Sequence, residues 1–226
     1  IRFASNFGFN GFNEMKQNFR LDLVKEAASY TERARLFREM DGGAEVEQPH
    51  HILQEFVRAN TQSMQQLVLH TPDVELSQAI SLLQEADTIY VIGSRRSFSA
   101  AVYLRYALGH LERRTVLLDG LGGMLAEESA LMNSRDVVIS ISFTPYADET
   151  LMVSEKAAQV GASQIVITDS QISPLASLSD VCFVVKEAQV GAFRSQAATL
   201  CLLQSLAVGL AFKKSEEVAG QGSIVS

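Results

Sequence analysis

The sequence predicts an α/β fold: a doubly wound five-stranded parallel sheet preceded by helices. Five short runs rich in β-branched residues carry the prediction: TIYVI (88–92), TVLL (115–118), DVVISI (136–141), QIVIT (164–168) and VCFVV (181–185). They are almost unbroken in apolar residues, as strands covered on both faces are. Helical patterns alternate with them, the arrangement of parallel strands joined by crossover helices. With 226 residues, 47% hydrophobic and 20% charged, the chain can bury one good-sized core, although length alone leaves one or two domains open.

In chain order, Phe12, Met15 and Phe19 stand at helical spacing behind Asn10, which can cap the first turn, and predict a short amphipathic helix over 9–20. From about Leu21 to Met40 the polar-rich stretch reads as helix or extended arm. DGGAEVEQP (41–49) supplies two glycines, a proline and three acids, and the domain boundary is placed there, dividing 1–45 from 46–226. His50–His70 carries Ile52, Phe56, Met64, Leu67 and Val68 on one stripe, and Val74–Leu83 carries another, so two helices precede the first strand. Between and after the strands, helices are expected at 99–111, 122–133, 148–160, briefly near 174–177, and from about 193 to 212.

Right-handed crossovers and the usual doubly wound strand orders put a ligand outside the carboxyl ends of the strands, where the winding reverses; for the order 2-1-3-4-5 that reversal lies between strands one and three. The loops that meet there are GSRRS (93–97) and SFTPYADET (142–150). The first brings Ser94, Arg95, Arg96 and Ser97 to a helix N-terminus, where free N–H groups and the guanidinium fork suit an anion. The second brings Ser142, Thr144 and Thr150. A plainer reading makes Ser97 or Ser99 a cap with both arginines in solvent, and makes Thr144 and Pro145 the N-cap and first residue of a helix whose dipole Asp148 and Glu149 complement.

Asp119 ends strand two about where a dinucleotide ribose would be held, but Gly93, Ser94, Arg95, Arg96, Ser97 and Phe98 stand where the glycine-rich fingerprint belongs. His50, His51, His70 and His110 lie beside no carboxylate or cysteine at metal-ligand spacing, so neither a metal nor another cofactor is expected. Cys182 and Cys201 read as buried reduced thiols, which suits a cytoplasmic setting. Ala197–Phe212 is shorter than a membrane span and interrupted by Gln204 and Ser205, so no membrane partner is expected. Residues 1–40 hold seven Lys/Arg against five Asp/Glu and the rest twelve against twenty-one, an asymmetry that points to two modules with different partners.

The two loops, their order and the strands around them resemble a sugar isomerase (SIS) domain, a phosphosugar-binding fold. The SIS pattern S-x-S-G-x-T-x-E-T is matched by Ser142, Thr144, Glu149 and Thr150, and departs at Pro145 and Ala147. GSRRSFSAAVYLRYAL, ISFTPYADET, TDSQISPLA and FRSQAATL together resemble the sensor half of the RpiR family of bacterial transcription regulators. IRFASNFGFNGFNEMKQNFR is similar to the end of that family's helix-turn-helix domain, with Gly8, Phe9, Gly11 and Phe12 in its turn.

The resemblance implies a regulator rather than an enzyme, whose effector phosphate lies between Ser97, Ser142, Thr144 and Thr150 with help from Ser94 and Arg95 or Arg96. Sugar hydroxyls would reach toward Glu187 and the segment 189–195, which is similar to the loop that carries a catalytic glutamate in the enzymes. Operator DNA would be the second partner, and a homodimer or homotetramer the assembly. The groove-reading helices would then lie mostly before Ile1, leaving Arg2 and a few basic neighbours for DNA phosphates, so the chain is expected to be a fragment of something longer. The alternative is an aldose–ketose sugar-phosphate isomerase with Glu187 as base.

Overall fold

The computed structural model describes residues 29–41 and 48–222. The expected helix over 9–20, the turn at 8–12 and Arg2 lie outside them. The chain divides into two compact units, one comprising residues up to Gln62 with Ala188–Ser195, the other Ser63–Glu187 with the chain from Gln196 onward.

In the first unit, the later part of the stretch expected as helix or arm is helix, α1 (Tyr30–Asp41), while 21–28 lie outside the described residues. Its N-terminus explains why: the Ser29 hydroxyl accepts from the Glu32 N–H at 3.1 Å, a side-chain cap that satisfies one orphan donor of the first turn. The Arg35 guanidinium pairs with Glu32 one turn on and holds its carboxyl below the usual range. The helix α2 (Pro49–His70) begins in this unit. The segment 188–195, from whose Phe193 the last helix was expected to start, instead forms an antiparallel hairpin of two-residue strands, with the Phe193 ring 5.3 Å from that of Tyr30. Gly191, at φ 57, lies in its turn.

The second unit contains the expected sheet. Its elements are α3 (Asp73–Glu85), β1 (Ile89–Ile92), α4 (Phe98–His110), β2 (Thr115–Leu117), α5 (Leu125–Ser129), β3 (Val137–Ile141), α6 (Asp148–Val160), β4 (Ser163–Thr168), β5 (Val181–Val184) and, after the hairpin strands β6 (Gln189–Val190) and β7 (Phe193–Arg194), α7 (Ala197–Gly222). All five sheet strands are parallel in the order β2-β1-β3-β4-β5, with Val91 opposite Leu117 on one side and Ile139 on the other.

Alternation along the strands explains the double cover. Ile89, Val91, Val137, Ile139, Ile165 and Ile167 pack on one face with Leu83, Leu104, Leu108, Leu203 and Leu206 of α3, α4 and α7. Tyr90, Ile92 and Val138 point the other way, against Met132 and against Val153 and Ala157 of α6. Every residue of β1 and β3 is buried, which is why their sequences lack polar alternation.

Three helix expectations shift. The one over 122–133 shrinks to α5 behind a 3₁₀ turn at Leu121–Gly123, because Gly122 and Gly123 adopt φ 66 and 77, a left-handed backbone that a helix cannot continue through. The turn near 174–177 is a 3₁₀ turn at Ala176–Leu178. The last helix is longer than expected: Ala197–Ser215 has the length and apolar composition to cross a membrane. Part of that apolarity is spent in the core, since Ala198, Leu202, Leu203, Leu206 and Leu210 are buried against the sheet.

Candidate ligand site

The two loops named from sequence leave neighbouring strands at the carboxyl edge of the sheet, where β1 feeds α4 on one face and β3 feeds α6 on the other. After β1, Gly93 is buried, and a Cβ there would lie 2.8 Å from the Ser97 carbonyl oxygen, so the loop can fold back this closely only with glycine. Ser94 is extended, and the Ser97 N–H donates to its carbonyl at 3.1 Å. Arg95 takes φ 55, unusual for a non-glycine residue. Arg95 and Arg96 are exposed and Ser97 is half-buried. Ser97 stands at the N-cap of α4 without a side-chain cap bond, so the plainer capping role is not the one it plays.

The loop is tied from outside by Gln196. The Ser99 hydroxyl donates to Gln196 Oε1 at 2.6 Å and Gln196 Nε2 donates to the Arg96 carbonyl at 2.5 Å. Sequence reasoning quoted Gln196 inside FRSQAATL without a role for it.

After β3, the Ser142 N–H donates to Ile167 O at 3.0 Å, which continues the strand, and the buried Ser142 hydroxyl accepts from the Ala147 N–H at 3.3 Å. Ala147 is the N-cap of α6, so Thr144 and Pro145 precede the helix rather than start it; the peptide bond between them is cis. Asp148 and Glu149 do fall in the first turn, where their charge complements the dipole.

Thr144 is exposed, and its N–H and hydroxyl both donate to the Asp169 carboxylate, at 3.0 and 3.4 Å. The Tyr146 hydroxyl donates to the same carboxylate at 2.9 Å. Asp169 follows β4 and was also missed; it stands in TDSQISPLA, where nothing in the spacing shows that it reaches back across the sheet edge. Thr150 is fully buried, and its hydroxyl has no hydrogen-bond partner.

Glu187, after β5, leaves the sheet two strands beyond β3, on the order of 10 Å away by strand spacing. Its carboxylate accepts from the N–H groups of Thr199 at 2.6 Å and Ala198 at 3.4 Å, closing the N-terminus of α7. Asp119, the rival ribose ligand, accepts from the Leu121 N–H at 2.8 Å and shapes the turn after β2. The four histidines lie in α2 and α4, away from these loops.

The model of the SIS domain family matches residues 82–212. The chain belongs to that family. Several of the relatives within it are HTH-type transcription regulators. An HTH-type transcriptional regulator of Caldanaerobacter subterraneus subsp. tengcongensis is 25% identical over 225 residues, covering 96% of this chain and 75% of that one. The sugar isomerase domain of the RpiR transcription factor from Sphaerobacter thermophilus superposes with a TM-score of 0.69 at 26% identity, over 74% of this chain and 93% of that one. The Vibrio vulnificus NanR protein complexed with ManNAc-6P shares the fold over 100% of this chain and 78% of its own, with a TM-score of 0.67 and 17% identity.

Proposed function

We propose that this chain is the sensing part of a transcription regulator, in which the SIS domain binds a phosphosugar and thereby controls operator binding by an N-terminal helix-turn-helix domain. Residues 1–45 would be the end of the DNA-binding domain and its linker, and 46–226 the sensor, in a cytoplasmic homodimer or homotetramer. The observation that carries the reading is the pair of helices, α4 and α6, whose N-termini open from the adjacent strands β1 and β3 where the winding reverses. Each N-terminus turns the positive end of a dipole toward one anion.

The phosphate would take the N–H groups of both helix starts with Ser94, Ser97, Ser142 and Thr144, and the exposed Arg95 or Arg96 would cover it. For Thr144 this exchanges the Asp169 carboxylate for another anion as acceptor. Thr150, enclosed behind the loop, would join only when 142–147 opens. Glu187, which caps α7, would reach the sugar with its carboxylate. The cap also speaks for sensing over isomerisation, since a base already accepting two N–H bonds is poorly placed to take a carbon-bound proton.

Thermal unfolding against a panel of sugar phosphates that includes N-acetylmannosamine 6-phosphate tests the reading. A ligand at a hundred times its Kd should add about 2.7 kcal/mol of stability. No shift across the panel would sink the sensor, and turnover of any member above background would make the chain an isomerase. Ser142→Ala should weaken the best ligand by about 1.5–3 kcal/mol, the value of a hydrogen bond to a charged group. The variant should also lose some fold stability, because Ser142 supports the start of α6.

A further inference from the structure

Gln196 lies outside the proposed ligand contacts, yet it grips the arginine loop at two points about a hundred residues away in sequence. Its Oε1 accepts from the Ser99 hydroxyl at 2.6 Å and its Nε2 donates to the Arg96 carbonyl at 2.5 Å. Ser99 also lies 3.3 Å from the Arg96 carbonyl, but a hydroxyl has one proton to give, and the shorter bond to Gln196 takes it. The three groups form a closed set: hydroxyl to amide oxygen, amide N–H to carbonyl. A primary amide completes it because it pairs an acceptor with a donor on one planar group, whereas a carboxylate would face the Arg96 carbonyl with a second acceptor.

The clamp sits where the backbone needs one. Arg95, immediately before Arg96, is held at φ 55, a conformation that is unfavourable in a non-glycine residue and persists only when its surroundings over-determine it. The turn behind it is packed against Gly93 too tightly for a Cβ.

We infer that Gln196 is a positioning residue of the ligand site: by fixing the Arg96 carbonyl and Ser99 it holds Arg95, Arg96 and the N-terminus of α4 in the orientation that receives the phosphate. This rests on the phosphosugar reading, and deepens it by assigning a residue that touches no ligand. It also gives the start of α7 a direct connection to the anion loop.

The test is calorimetric titration of inorganic phosphate and N-acetylmannosamine 6-phosphate into wild type, Gln196→Ala, Gln196→Glu, Ser99→Ala and the Ser99→Ala/Gln196→Ala double variant, at a temperature where each is shown to be folded. Both Gln196 variants should bind about tenfold more weakly, the value of one to two lost hydrogen bonds at the loop. The double variant should lose little beyond Gln196→Ala alone, because both residues act through one clamp. Amide exchange over 95–100 should quicken in Gln196→Ala and not elsewhere in the sheet. Equal affinity in wild type and both Gln196 variants would overturn the inference while leaving the sensor intact. A wild type that takes neither probe nor any sugar phosphate would instead remove the sensor reading. If Gln196→Ala does not fold, Gln196→Met carries the comparison, since it keeps the length of the side chain, removes both hydrogen-bonding groups and adds no charge beside the anion.

Discussion

The two cysteines show how far a residue's surroundings can depart from its sequence context. Both were expected to be buried, but Cys201 is exposed on α7, on the side of the helix away from Leu202 and Leu203. Cys182 is half-buried in β5, and burial pushes its thiol up from the ordinary value, only partly opposed by a hydrogen bond from Ser179. The thiolate is the reactive form, so Cys201 should be labelled by a disulfide reagent at pH 7.5 at least about tenfold faster than Cys182. Equal rates in mass-resolved labelling would contradict this. Thr144 makes the same point for the site: as a hydroxyl after a strand it is legible in sequence, but its acceptor, Asp169, comes from another strand's loop.

At the scale of elements, the strands were legible almost to the residue, because a strand buried on both faces must be continuously apolar and little else in a chain of this composition is. Helices were legible in the middle and poorly at their ends. The α7 start illustrates why: the helix was expected from about Phe193, but Phe193 and Arg194 pair with Val190 and Gln189. The helix that remains depends on Glu187 for its first N–H groups. Glu187→Ala should therefore cost about 1 kcal/mol, read as a lower urea midpoint at unchanged slope, and Glu187→Gln, which keeps one acceptor oxygen, should cost less. An unchanged midpoint in Glu187→Ala would mean that the cap contributes nothing.

At the scale of the whole molecule, sensing requires that the ligand distinguish two states of the protein, since an effector with equal affinity for both shifts nothing. In the full-length regulator, the sugar phosphate that stabilises the sensor should change operator affinity by at least about fivefold, the low end of ordinary allosteric coupling. Operator titrations with and without the ligand measure this, at fixed salt because phosphate contacts make binding salt-dependent. Identical titrations at saturating ligand would leave a binding domain without a regulatory output.

The sequence alone determined the parallel sheet and the carboxyl edge to which the two hydroxyl-bearing loops belong, because these follow from local patterns of apolar continuity and helix–strand alternation, whereas the strand order 2-1-3-4-5 was the one the family resemblance implied. The sequence also pointed to Ser142 and the arginine loop as the groups proposed to meet a ligand at that edge. Only the tertiary structure decided what those groups are bonded to: Asp169 on Thr144 and Tyr146, Gln196 on the arginine loop, and Glu187 on α7. The physical reason is range. Each of these bonds forms between groups far apart in the chain that the folded sheet brings within 3.4 Å, and no periodicity in the sequence records which distant side chain will arrive.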